Sequence, residues 1–375
     1  MKTARKKTQF SAPKSPPAGE LDARILDLIA RGTERRSTDA GFDSLALALF
    51  RHQFALNQPY RGYCESLGRE PRNVAHWTQI PAVPTTAFKD AQLTTLPPKQ
   101  RTTVFHSSGT TAHCHSQHFH CAATLELYEA ALWPMFQSGM GIPPAPSPAT
   151  NRQDSCPALI ILTPTPAEAP HSSLVHMMET VRRKLGAPCS AYAGAAALED
   201  GPALVAVVQS KIQNPKSKIL LLGTAFAFVR LLDAIQSLPL PPGSRVMETG
   251  GYKGRSREVP RKELHSLIAR KLGVPRANIV SEYGMCELSS QFYAPSQSVI
   301  FHGPPWTRVQ VIDPETSREA REGEHGLIRI FDLANRASVI AVQTEDVGVR
   351  RGSGFELIGR AQQAEARGCS LMVPS

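Results

Sequence analysis

The sequence predicts an α/β fold with layered helices around a largely parallel or mixed sheet, and three observations carry that expectation. From residue 158 onward, short apolar segments alternate with helix-length amphipathic ones, the pattern of strands joined by helices. Beyond residue 309 the chain turns strand-rich, which predicts a small β-rich part. Of the 375 residues, 41% are hydrophobic. That is the content of a folded domain with a sizeable core, and it excludes global disorder or a fibrous repeat.

The elements follow in chain order. Leu21, Ile25, Leu28 and Ile29 make one apolar face and predict a helix over 21–30. Leu45, Leu49 and Phe54 predict another over 43–54, with Asp43 as candidate N-cap. In 80–89 the prolines Pro81 and Pro84 exclude a regular helix and predict an extended loop. A strand over 102–106 runs into a small-residue turn, and a long helix follows over about 122–135. Residues 139–157, rich in Pro, Ser and Gly, read as an exposed loop. Strands are expected over 159–162, 204–208 and 218–222, and helices over 173–185 and 225–235. A helix over 261–272 ends at Gly273, with Pro275 just beyond. Further strands are expected over 278–280, 309–312, 326–331 and 339–343. There is no internal repeat.

The net charge is +10, but Lys2, Arg5, Lys6, Lys7 and Lys14 supply half of it. Residues 1–20 therefore read as a basic, solvated tail. No apolar segment follows those charges, so a secretory signal is not expected. Only one aromatic residue, Phe10, lies among them, so neither is a nucleic-acid partner. The longest apolar run, 219–229, is about half the roughly twenty residues a membrane span needs. The seven cysteines lack a paired spacing, which predicts thiols in a reducing cytoplasm rather than disulfides.

Three segments carry chemistry. Ser107, Ser108, Gly109, Thr110 and Thr111 follow a strand and precede a helix pattern. Backbone N–H groups and hydroxyls there can wrap a polyphosphate, although the Lys of a P-loop is missing and a plain polar turn reads equally well. Glu248-Thr-Gly250-Gly251-Tyr252-Lys253-Gly-Arg-Ser-Arg257 pairs glycines with cations, suited to a nucleotide or to a solvated turn. Tyr283-Gly284-Met285-Cys286-Glu287 follows a strand, and an acid placed there can hold Mg²⁺ on phosphate oxygens. A competing constellation is His106, His113, Cys114, His115, His118, His120 and Cys121, dense enough for a metal site. On a strand, however, His113 and His115 share one face, as do His118 and His120. With no distant second ligand pair, pocket-lining or surface histidines are the expectation.

Taken together, these residues resemble the adenylate-forming superfamily, and more narrowly its LuxE-type acyl-protein synthetase family. Residues 107–111 resemble the superfamily's phosphate loop, 283–287 its Tyr-Gly-x-Thr-Glu element, Asp346 its ribose-binding aspartate, and Gly359-Arg360 the segment leading into its hinge. The narrower match rests on 80–89, 248–258, 282–293 and 367–371, and the likeness spans roughly 40–371. Three departures stand out. Cys286 replaces a threonine, Ala112 stands where glycine is common, and the chain runs only to Ser375 after Arg360. The superfamily's mobile C-terminal domain and its lysine are therefore not expected. The narrower family resembles this sequence in ending early, with a cysteine near the terminus as acyl acceptor, a position that Cys369 matches.

The resemblance implies an adenylate-forming core over 21–300, a β-rich subdomain of that core over 301–358, and a tail over 359–375 carrying Cys369. It implies ATP and Mg²⁺ as cofactors, a carboxylic and specifically fatty acid as substrate, and an acyl reductase as partner. Glu287 would hold the metal. Ser107, Ser108, Gly109, Thr110 and Thr111 would hold phosphates, with Lys253 as a cation. Gly250, Gly251 and Tyr252 would flank adenine and Asp346 would accept from the ribose hydroxyls, with Tyr283, Gly284 and Arg360 also among the cofactor-binding residues. The alternatives are a ligase passing its acyl group to coenzyme A or a carrier protein, and a non-catalytic scaffold that keeps the fold.

Overall fold

The computed structural model describes residues 16–34, 38–107, 115–143, 157–186, 190–212, 218–252 and 256–361. The N-terminal third supplies helices α1 (Ala18–Ala30), α2 (Asp39–Leu56) and α3 (Gln58–Ser66). Next come strand β1 (Val83–Pro84), the one-turn helix α4 (Ala87–Asp90), and a hairpin of β2 (Thr103–His106) and β3 (Gln117–His120). The middle alternates α5 (Ala122–Gly139), β4 (Ala158–Leu162), α6 (Ser173–Leu185), β5 (Ala191–Tyr192), α7 (Gly194–Ala197), α8 (Gly201–Ile212) and β6 (Ile219–Thr224). It continues through α9 (Ala225–Asp233), β7 (Arg245–Thr249), α10 (Arg261–Leu272), β8 (Ile279–Tyr283) and β9 (Phe292–Pro295). The end is all strand: β10 (Ile300–Phe301), β11 (Thr307–Ile312), β12 (His325–Asp332), β13 (Ala341–Arg351) and β14 (Gly354–Arg360).

Strands β4 to β9 form one sheet in the order β5-β4-β6-β7-β8-β9, parallel except for β9. The two-residue period of a strand divides its side chains between two cores. Leu159, Ile161, Leu220, Leu222, Met247 and Val280 face the larger core, with Leu127 and Leu132 of α5 and Met177 and Met178 of α6. Ile160, Leu162, Ile219, Leu221, Val246 and Ile279 face a second core closed by α8, α9 and α10. A sheet covered on both faces explains why its strands read as continuous apolar runs rather than alternating ones. The second sheet runs β10-β14-β13-β12-β11, antiparallel, with β1 added in parallel to β13.

Three expectations are corrected. Residues 204–208 are not a strand but the middle of α8. Leu204 and Val208, four apart, are its buried face, and a five-residue apolar run cannot by itself separate the two periods. The second helix starts earlier than expected, at Asp39. Thr38 is its N-cap, accepting from Gly41 N–H at 3.2 Å, while Asp43 sits inside the helix and accepts from Trp77 N–H at 2.6 Å. The 107–116 segment lies between two antiparallel strands, Ser107 N–H closing on the Ser116 carbonyl, rather than between a strand and a helix. In 80–89 the prolines hold β1 extended, and only after Thr86 does the single turn of α4 form. Among the described residues, no helix is long and apolar enough to cross a membrane.

Candidate active site

Several of the candidate residues lie at the C-terminal ends of β7 and β8, the edge at which open parallel sheets bind ligands. Thr249 and Glu282 pair in register at the tips of these strands. Gly250 and Gly251 follow Thr249. A Cβ on Gly250 would meet nothing, and Gly251 sits at φ 111°, so the backbone there is open to a ligand. Tyr252 packs its ring on the second core and donates its hydroxyl to the Val259 carbonyl at 2.7 Å. Just upstream, Glu248 is buried, accepting from the Ser281 hydroxyl and lying 3.1 Å from His265 Nε2.

From β8 the chain enters Tyr283 and Gly284. The Tyr283 ring is boxed by Phe355, Phe301 and Phe292, with centroids 5.2, 5.9 and 6.2 Å away. Its hydroxyl donates to Asp346 Oδ2 at 2.8 Å. Asp346 lies on β13, its amide donating to Thr344 Oγ1 at 3.1 Å, and Arg360 faces it from β14 with Nε 3.6 Å from Oδ1. Burial pushes the Asp346 carboxyl up; the Tyr283 hydroxyl and Arg360 pull it back. The Arg360 side chain is 78% exposed, so the pair is a weak one. Oδ2 is occupied by Tyr283, which leaves Oδ1 as the oxygen available to a ligand hydroxyl. At Gly284 a Cβ would lie 2.5 Å from Glu282 Oε1, so any larger residue would displace that carboxyl. Burial raises Glu282 to about 7; a hydrogen bond from Thr249 opposes the rise and Glu248 adds to it.

Glu287 is buried as a residue, 5% exposed. Its backbone is firmly held. Asn335 Nδ2 donates to the Glu287 carbonyl at 2.8 Å while Asn335 Oδ1 accepts from the Ser289 hydroxyl at 2.7 Å. Asp332 accepts from Ser289 N–H (2.9 Å) and the Ser290 hydroxyl (2.8 Å), and Trp306 Nε1 donates to Ser290 at 3.0 Å. Burial raises Asp332 to about 6 in spite of those donors. The β2–β3 hairpin is tied to the same loop through His118, whose Nδ1 lies 2.7 Å from the Cys286 carbonyl. Burial draws His118 down to about 4, so it is neutral and Nδ1 is the donor.

Of the phosphate-loop residues, Ser107 is described, its hydroxyl accepting from Ser116 N–H at 3.0 Å. Ser108, Gly109, Thr110, Thr111, Lys253 and Cys369 lie outside the described residues, as do His113 and Cys114. The other histidines divide in two. His118 and His120 turn inward, 4.3 Å apart, while His106 stacks between His115 and His171 at 6.1 and 4.9 Å. Among the described residues, no three His, Cys, Asp or Glu side chains converge as metal ligands. Tyr283, Asp346 and Arg360 therefore meet directly, and Gly250, Gly251 and Gly284 adjoin them across the β7–β8 pair. Sequence reasoning missed Glu282, Asp332 and Asn335. An acid within an apolar strand was the available signal for the first two; Asn335 had none.

The sequence model described as "Acyl-protein synthetase, LuxE" matches residues 200–375. A curated relative, the long-chain-fatty-acid–luciferin-component ligase of Aliivibrio fischeri, is 26% identical over 177 residues, 43% of this chain and 46% of that protein. The match thus spans about half of the relative's length. Among solved structures, 2-hydroxyisobutyryl-CoA ligase in an open conformation with 2-HIB-AMP and CoA superposes with a TM-score of 0.61 at 16% identity, covering 96% of this chain and 83% of that one. The same ligase in its thioesterification state gives 0.61 at 16%, covering 94% and 73%. At such identities the likeness is one of fold. Residues 200–375, a little under half of the chain, thus resemble the LuxE-type acyl-protein synthetases, and the chain shares the fold of 2-hydroxyisobutyryl-CoA ligase.

Proposed function

We propose that the protein activates a carboxylic acid, in its family setting a fatty acid, with ATP and then transfers the acyl group to the Cys369 thiol. A carboxylate oxygen forms a bond to the α-phosphorus, the bond from that phosphorus to the bridging oxygen breaks, and pyrophosphate leaves. The thiolate then attacks the acyl carbon, the C–O bond to AMP breaks, and a protein thioester results. From there the acyl group would pass to a partner such as an acyl reductase.

The observation that supports this reading is the Tyr283–Asp346 hydrogen bond at the C-terminal end of β8, with Glu287 four residues further along the same segment. That donor set fits Mg·ATP, because a carboxylate such as that of Glu287 suits a hard cation and Asp346 Oδ1 suits a ribose hydroxyl. ATP on Mg²⁺ supplies the electrophilic phosphorus and the leaving group. Glu287 would hold the cation, and the amides and hydroxyls of Ser108, Gly109, Thr110 and Thr111 would cradle phosphate oxygens. Lys253 would offset the developing charge. Gly250, Gly251 and Tyr252 would leave room for adenine. Arg367, two residues from Cys369, would favour its thiolate.

ATP–pyrophosphate exchange across a panel of carboxylic acids tests the reading. Acid-dependent exchange with radioactive acid retained on the protein supports it. Exchange with release of a coenzyme A thioester would replace the second step, and no exchange with any acid would overturn the whole.

A further inference from the structure

Beneath the glycine turn at the tip of β7 lies a buried polar network that the steps above leave unused. Glu248 of β7, His265 of α10 and Ser281 of β8 are 4, 1 and 1% exposed. His265 Nε2, at 3.1 Å, and the Ser281 hydroxyl both reach Glu248 Oε1, and Ser281 Oγ lies 3.3 Å from the same Nε2. On its other side the ring meets the Ser296 hydroxyl, 2.8 Å from Nδ1. Ser296 follows β9, so one imidazole ties β7, β8 and the end of β9 to α10. A carboxylate only accepts, so Nε2 carries the hydrogen. A hydroxyl donates or accepts, so Nδ1 is met in either state of the ring.

What this network holds follows from the chain. Two residues after Glu248 come Gly250 and Gly251, which have no side chains with which to anchor themselves. Gly251 at φ 111° is in a conformation that other residues rarely adopt. On the far side of the turn Tyr252 donates to the Val259 carbonyl, one residue before Pro260 caps α10. Burial and the neighbouring Glu248 push that phenol up to about 12, which keeps it a donor. Both ends of the turn are therefore fastened at the start of α10, the near end through Glu248 and His265.

We propose that His265 is a positioning residue for the nucleotide: through Glu248 it holds the Gly250–Gly251 turn in the shape that receives adenine. The proposal rests on the adenylation reading and adds a residue to it. A turn already held in its bound shape leaves less ordering to be done on binding. Loosening it would weaken ATP without touching the groups around the α-phosphorus.

The test is ATP–pyrophosphate exchange, with KM measured separately for ATP, pyrophosphate and acid. His265→Leu takes a donor from Glu248 and should raise KM for ATP by about tenfold or more. KM for acid and for pyrophosphate, which has no adenine, should stay within about twofold. His265→Gln, whose amide N–H can replace Nε2–H, should bring KM for ATP back to within about threefold of wild type. Ser281→Ala removes the second donor with little change of volume. It should raise KM for ATP about threefold or more, and it decides the matter if His265→Leu does not fold. KM for ATP unchanged in the folded variants, a rise that His265→Gln does not reverse, or all three KM values rising together would overturn the inference and leave adenylation standing. No exchange by the wild type with any acid would overturn adenylation, and the inference with it.

Discussion

At the scale of single residues, the site is a set of buried carboxylates in different settings. Glu287 is 5% exposed, and Asp346 has one strong donor, Tyr283. If Glu287 holds the cation, Glu287→Gln should lower exchange by about 100-fold or more, measured on protein whose melting confirms the fold. Glu282 behaves differently. Its carboxyl is raised to about 7 against an ordinary 4.5. Below 4.5 both folded and unfolded chains are protonated and the group costs nothing. As pH rises through 7 the folded state loses up to about 3 kcal/mol relative to a neutral side chain. Glu282→Gln should therefore unfold at higher denaturant than wild type at pH 8, with the advantage fading as pH falls toward 4.5. An advantage that stays constant with pH would show that Glu282 does not titrate in this window. His118, held near 4, has the opposite sign and loses stability as pH falls below 6.5, so the difference between variant and wild type is the clean readout. Glu287 and Asp346 were singled out from motif context, and of the two the structure brings Asp346 to Tyr283. Glu282 was signalled only as an acid within an apolar strand, because its raised carboxyl depends on the surroundings that Gly284 and Thr249 close around it.

The elements fix these side chains at long sequence range. The loop after Glu287 is anchored by Asp332 and Asn335, which lie more than forty residues later at the end of β12 and just beyond it. Asn335→Ala would leave the Ser289 hydroxyl and the Glu287 and Val339 carbonyls without their partner. It should cost about 1–3 kcal/mol in denaturant unfolding and lower exchange by loosening Glu287. A stable variant with unchanged exchange would show the anchor to be dispensable. The helices over 173–185 and 261–272 could be read to the residue, because a Ser N-cap in one and the glycines 186 and 273 punctuate them. The run over 204–208 could not, since the buried face of α8 shows only two residues within it. The pairing of β2 with β3 was also hidden, because strand partners are chosen by tertiary contacts such as His118 with Cys286 rather than by local pattern.

Across the whole molecule, the three-layer sheet presents the β7 and β8 tips while the second sheet brings Asp346 and Arg360 to the same place. The alternation from residue 158 made the layering legible. The joining of the two sheets through Tyr283 and Asp346, sixty-three residues apart, was legible only through family resemblance. Cys369 belongs to the second step of the proposed reaction. Cys369→Ser should leave ATP–pyrophosphate exchange near the wild-type level and abolish the hydroxylamine-labile acyl label, because a serine hydroxyl is a far weaker nucleophile at neutral pH. Label persisting at wild-type level would move the acceptor to another thiol. The claim beneath all of this is that an acid oxygen becomes bonded to the α-phosphorus. The most direct measurement uses acid labelled with ¹⁸O in its carboxylate and follows the products by mass spectrometry as the thioester forms. The account predicts AMP carrying one ¹⁸O and pyrophosphate carrying none; label in inorganic phosphate with ADP as co-product, or AMP without label, would contradict it.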